Sequence, residues 1–220
     1  MRPSVFAPAV LAHTFLEFES QIKKIDIGLF PYVHIDVMDG KFVPHTSFKE
    51  IDRLEGLASN LPFELHLMVE DPLAELEKWA AVGNVFRIIF HIESGRNLDV
   101  AMALAEDTEL AVGLAIKPQT PLSSLVPYLD RIDVAQFMTV NPGAQGEKFI
   151  AGVLENISEF NKSREGILTS VDGAVNLTTL PELIKRGVDI FTVGSAFRHA
   201  PDVKKTYKAM KAMIASQKIN

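Results

Sequence analysis

A chain of 220 residues with 47% hydrophobic side chains can bury a full core, and its length fits one α/β barrel or one to two smaller domains. The net charge of −6, with no segment that clusters Lys and Arg among aromatics and no run of roughly 20 apolar residues, argues against nucleic acid and membrane as partners. There is no cysteine, so disulfides, thiolate metal sites and cysteine nucleophiles are excluded, and any metal must be held by nitrogen and oxygen.

The N-terminal run MRPSVFAPAVLAHTF lacks the long apolar stretch and cleavage pattern of a signal peptide, which predicts a cytoplasmic protein. From there, β-branched and aliphatic segments recur every 20 to 35 residues or so, with helical periodicity between most of them. The predicted strands are Val5–Val10, Tyr32–Met38, Phe63–Val69, Phe86–His91, Leu110–Ile116, Val134–Val140, Ile167–Asp172 and Asp189–Val193. Asp71-Pro72 opens one helix, Thr120-Pro121 starts a short one, and Gly187 closes another after Lys185 and Arg186. Nothing between them looks like an interdomain linker. The alternation predicts one α/β domain over residues 1–220, a (β/α)8 TIM barrel, with a doubly wound open sheet as the alternative. Polar residues at many strand ends favour the barrel, whose sites are built from several strands, over a sheet with one crevice.

The second strand reads Val33-His34-Ile35-Asp36-Val37-Met38, and a period of two puts His34, Asp36 and Met38 on one face. Leu65-His66-Leu67-Met68 repeats the pattern in the third strand, and Asp172 ends the seventh before Gly173. Charged groups at the ends of apolar strands are costly to bury unless paired or bound to a cation. His34, Asp36, His66 and Asp172 together offer a four-ligand site suited to one divalent ion such as Zn²⁺, Fe²⁺, Mn²⁺ or Co²⁺. Taken singly, each could instead be a core histidine or a helix-capping aspartate.

The stretches His34–Pro44 (HIDVMDGKFVP), His66–Pro72 (HLMVEDP), Gly113–Pro118 (GLAIKP), Met138–Phe149 (MTVNPGAQGEKF), Val171–Asn176 (VDGAVN) and Val193–Ala196 (VGSA) resemble, in order, the ribulose-phosphate 3-epimerase family. The resemblance implies a phosphate-binding barrel that epimerises a ketose phosphate at C3. In such enzymes the two histidines and two aspartates hold the metal, and Asp36 and Asp172 also serve as acid and base on opposite faces of the substrate. It further implies that Met38, Met68 and Met138 line the space around the reacting carbons, although inward strand residues are as often plain barrel packing. Substrate and phosphate are expected at Gly173, Ala174, Gly194 and Ser195, after strands seven and eight, and at Gly143 and Gly146 in a closing loop. Barrels of this family commonly associate, so a homo-oligomer is implied without its size.

Several positions depart from the family pattern. Ala9 replaces a serine that contacts substrate, and Ala12 and Thr14 replace a serine and an aspartate beside it. Ala144 and Gln145 replace an aromatic residue and a glycine of the closing loop. Ala174 replaces a glycine, which is harmless at negative φ and strained at positive φ. His91 and Glu93 match a family His-x-Glu pattern that either supports a metal ligand or makes a structural hydrogen bond at the rim. Asp39 is expected to shape the turn before Gly40, and His13, His45 and His199 to lie on the surface or in loops. Beyond ribulose 5-phosphate, the alternatives are another ketose phosphate such as a hexulose 6-phosphate, a lyase using Lys117, or a non-catalytic sugar-phosphate binder.

Overall fold

The computed structural model describes residues 4–25, 28–79, 81–95, 97–143, 147–163 and 165–217. Eight parallel strands close on themselves in sequence order: β1 (Val5–Val10), β2 (Val33–Met38), β3 (Phe63–Met68), β4 (Val85–His91), β5 (Ala111–Ile116), β6 (Val134–Met138), β7 (Leu168–Asp172) and β8 (Ile190–Val193). Closure comes from β8 pairing with β1, Ile190 beside Val5 and Val193 beside Pro8. This is the (β/α)8 TIM barrel that the alternation predicts; an open sheet would have left two strands unpaired on one side.

Among the described residues seven helices cover the outside: α1 (Phe15–Ile25), α2 (Pro72–Trp79), α3 (Leu98–Asp107), α4 (Val153–Ser163), α5 (Leu180–Lys185), α6 (Ser195–Arg198) and α7 (Val203–Gln217). Their positions follow from local chemistry. Thr14 and Glu17 form a capping box at the start of α1, with the Glu17 amide donating to Thr14 Oγ1 and the His13 and Thr14 amides donating to Glu17 Oε2. Phe15, Phe18, Ile22 and Ile25 then turn one face of α1 into the core. Asp71 accepts from the Ala74 amide and so caps α2 at its Asp-Pro start. The segment expected as a short helix after Pro121 is instead a 3-10 stretch over Leu122–Arg131, and Pro127 within it cannot donate to an α-helical ladder. No helix among the described residues is long and apolar enough to cross a membrane.

The apolar core is the layer between strands and helices, where Ile35, Leu65, Leu67, Phe90, Phe137 and Phe191 lie fully buried. Inside the barrel the lowest layer is small, with Ala7, Tyr32, Val134 and Ile190. Above it the interior turns polar: His34, Glu64, His66, Arg87, Gln136 and Ser170 are all buried. In a parallel barrel all strands finish at the same end, so inward residues near their C-termini share one floor.

Candidate active site

Strand register brings the polar residues together. Asp36 lies directly beside His66, Met38 beside Met68, Ala9 beside His34, and Met138 beside Asp172. Each of His34, Asp36, His66 and Asp172 contributes one donor atom to a cluster in which all four atoms lie within 4.8 Å of one another. His66 Nδ1 stands 3.1 Å from Asp36 Oδ1 and 3.4 Å from Asp172 Oδ2; His34 Nε2 stands 3.6 Å and 3.9 Å from the same oxygens.

A divalent cation fits this donor set. His34 Nε2 is buried and has no hydrogen-bond partner among the described residues, which is costly unless something else is meant to meet it. Two neutral imidazoles and two carboxylates satisfy a borderline divalent ion. Without one, the charges answer each other. Burial would push the His34 imidazole down, but the carboxylates of Asp36 and Glu64 beside it outweigh burial and raise its pKa to about 10. Burial would raise Asp36, yet the His34 and His66 imidazoles beside it hold it well below the usual carboxylate range.

Around this cluster runs a polar network that the sequence reading did not single out. Glu64 Oε1 lies 2.6 Å from His34 Nδ1, while its other oxygen pairs with the Arg87 guanidinium, which also donates to the Tyr32 hydroxyl at 2.9 Å. Burial opposes the charged form of both partners. The Arg87 charge nonetheless lowers the pKa of Glu64, and the Glu64 charge raises that of Arg87. A shift in the β3–β4 pairing after Phe63 sets Glu64 opposite Arg87. The sequence signal was a Glu two residues before His66 and an Arg inside VFRIIFH, inward charges in apolar strands that demand partners.

His91 and Glu93, matched to the family earlier, stand on the other side. His91 is fully buried, its Nε2 3.0 Å from His66 Nε2 and its Nδ1 2.9 Å from Glu93 Oε2. Its ring lies edge to edge with that of His66, centroids 5.0 Å apart, and meets Phe42 at 4.8 Å, and Lys117 Nζ sits 3.9 Å over the Phe42 ring. Burial is the main reason its pKa falls to about 4. Glu93 Oε1 accepts from the Lys117 amide at 2.7 Å and from the Thr120 hydroxyl.

A cleft opens above the cluster, lined by Asp36, Met38, Met68, Met138, Asp172 and, around the mouth, Ala9, Gly143, Glu147, Gly173, Ala174, Gly194 and Ser195. Gln136 reaches up to Met138 Sδ, 3.9 Å away. The residues expected at the cleft are therefore there, except Gly146, Ala144 and Gln145, which lie outside the described residues. Lys117 is not among the lining residues, which leaves the lyase alternative without its amine. Glu147, which was not foreseen, joins a lining that holds no basic side chain among the described residues.

The loop after β7 is built tightly. Ala174 has φ +48°, the strained case, and its carbonyl accepts from both Asn176 Nδ2 and Thr179 Oγ1. Gly173 has φ +109°, and a Cβ there would stand 2.4 Å from Val140 Cγ2, so only glycine fits. Asp39 shapes its turn as expected, accepting from the amides of Lys41, Phe42 and Glu70, and His13, His45 and His199 are exposed.

Comparison with known proteins agrees with this geometry. The pattern of the ribulose-phosphate 3 epimerase family matches residues 5–198. The chain is 32% identical over 212 residues to the ribulose-phosphate 3-epimerase of Bacillus subtilis (strain 168), covering 93% of this chain and 97% of the relative. It is 31% identical over 221 residues to that of Escherichia coli (strain K12), covering 98% of each. Among solved structures it superposes on 3-hexulose-6-phosphate synthase from Salmonella typhimurium with a TM-score of 0.71 at 14% identity, covering 96% of this chain and 99% of that one. Thiamine phosphate pyrophosphorylase from Pyrococcus furiosus gives 0.66 at 15% identity, covering 97% and 96%. At those identities the two structures speak for the barrel alone. With the family pattern running from β1 through α6 and the relatives aligned over nearly their whole length, the chain belongs to the ribulose-phosphate 3-epimerase family and is an isomerase acting on carbohydrate.

Proposed function

We propose that the protein interconverts D-ribulose 5-phosphate and D-xylulose 5-phosphate, with Asp36 and Asp172 exchanging the C3 proton on the two faces of the substrate. What carries this reading is the meeting of both carboxylates with two imidazoles at the floor of the cleft, in a chain of this family. Asp36 rises from β2 and Asp172 from β7, three steps apart around the barrel, so a ketose lying between them meets a carboxylate on each side. One takes the proton and the other returns it from the opposite side, and their roles exchange with reaction direction. A divalent ion held by His34, Asp36, His66 and Asp172 supplies fixed positive charge beside the oxygens that become negative when an α proton leaves. The thioethers of Met38, Met68 and Met138 keep water from the reacting carbons. Because no basic side chain lines the cleft among the described residues, the phosphate falls to backbone N–H groups at Gly143, Gly173, Ala174, Gly194 and Ser195.

Solvent deuterium exchange at C3 tests the acid–base pair: Asp36→Asn and Asp172→Asn should each lose on the order of 10²- to 10⁴-fold with the fold intact by circular dichroism. Full exchange in either variant would overturn the two-aspartate reading. Metal analysis tests the ion; activity indifferent to chelators in a metal-free preparation would overturn that part. A second reading, a six-carbon ketose phosphate, draws on Ala9, which leaves the first strand end without a hydroxyl to define the sugar's length. Comparison of kcat/KM for ribulose 5-phosphate and a hexulose 6-phosphate separates the two.

A further inference from the structure

We infer that Glu93, acting through His91, fixes which nitrogen of His66 faces the two aspartates, so that Glu93 and His91 are positioning residues for the four-residue cluster. His66 and His91 approach through their Nε2 atoms at 3.0 Å. One of those nitrogens must carry the shared hydrogen while the other accepts it. The choice is made farther out. His91 Nδ1 lies 2.9 Å from Glu93 Oε2, and a carboxylate only accepts, so the His91 hydrogen sits on Nδ1. An imidazole with that hydrogen has a bare Nε2, which can only accept. The hydrogen between the rings therefore belongs to His66 Nε2, and the His66 Nδ1 lone pair is left pointing at the cluster, where Asp36 Oδ1 is 3.1 Å away.

Glu93 is itself held. Its second oxygen accepts from the Lys117 amide and the Thr120 hydroxyl, which tie it to the end of β5 and the loop beyond. His91 cannot swing away, because it is fully buried between the His66 and Phe42 rings. His34 reaches the same end by a shorter route: its Nδ1–H donates to Glu64 Oε1 at 2.6 Å, which leaves Nε2 bare toward the aspartates. The two histidines thus present different ring nitrogens, each because its opposite nitrogen is committed to a chain that ends in a carboxylate. This inference rests on the reading that the cluster holds a cation.

The test uses zinc as the probe, with affinity read by competition against a chelating dye and ring protonation read by long-range ¹H–¹⁵N spectroscopy of the zinc-loaded protein. Wild-type protein is expected to bind zinc with His91 as the Nδ1–H form and His66 as the Nε2–H form. Glu93→Gln, whose amide can donate to His91 Nδ1, should weaken zinc about 10- to 100-fold. In a His91→Gln background the amide oxygen accepts from His66 directly, so adding Glu93→Gln should change zinc affinity less than twofold. A purely structural role for Glu93 in clamping the Lys117–Thr120 loop would keep its full effect in that background, and so would overturn the inference. Nε2–H His91 in the wild type, or Glu93→Gln within twofold of wild type, would also overturn it and leave the metal reading standing. Wild-type protein that takes up no zinc would overturn the metal reading itself.

Discussion

Ala174 shows how much a single residue carries. A side chain at φ +48° costs roughly 1 kcal/mol relative to glycine, and the loop keeps it there because Asn176 and Thr179 both bind its carbonyl. Ala174→Gly is expected to raise the unfolding free energy by about 0.5–1 kcal/mol, read from the urea midpoint, with the loop unchanged. His91 sets a pH dependence in the chelator-treated protein. Its folded pKa of about 4 lies below the ordinary 6.5, so between those values the unfolded chain binds more protons and stability falls as pH falls. For His34 the sign is opposite. Its folded pKa of about 10 lies above 6.5, so its contribution is complete below pH 6.5 and is lost as pH rises through 10. The metal-free protein should therefore be most stable near pH 6 to 7, and His91→Gln should flatten the acid limb, which is worth on the order of 3 kcal/mol. Urea midpoints across pH 4 to 10 check both limbs.

The strands were legible because each is a short apolar run, and every one begins and ends within two residues of its predicted limits. Period-two alternation also placed His34, Asp36 and Met38 on one inward face, as it did His66 and Met68. The interior pairing of Glu64 with Arg87 was not legible, since it depends on the shifted register between β3 and β4, which no local pattern encodes. Nor was the φ of Ala174, which belongs to the side chains that grip the loop. Pro127 was visible, but its consequence, a 3-10 stretch in place of an α-helix, depends on how the neighbouring turns pack. The Glu64–Arg87 pair gives a prediction for β3 and β4. Arg87→Met strands a buried carboxylate and should cost about 3–5 kcal/mol, whereas Glu64→Gln with Arg87→Met together should cost distinctly less. Equal losses in the single and double variants, measured by denaturant titration, would show that the pair is not the source.

For the molecule as a whole, charge works against its proposed substrate. The net charge is −6, and once a divalent ion offsets Asp36 and Asp172 the carboxylate left lining the cleft among the described residues is Glu147. A phosphate dianion approaching that field is repelled unless salt screens it. For the metal-loaded enzyme, kcat/KM is expected to rise about two- to fivefold as ionic strength increases from roughly 10 to 150 mM, with the larger change in KM. Glu147→Gln should reproduce part of that gain at low salt; a flat salt profile would count against electrostatic repulsion as a brake on encounter.

Closure of the barrel has a consequence for how the chain is made. Val5 in β1 pairs with Ile190 of β8, near the other end of the sequence. At about 5–20 residues per second, some 10 to 40 seconds of synthesis separate those two strands. Throughout that interval β1 keeps an open edge on the side that β8 will fill, and the nascent chain must be kept from pairing with strangers until its own last strand emerges.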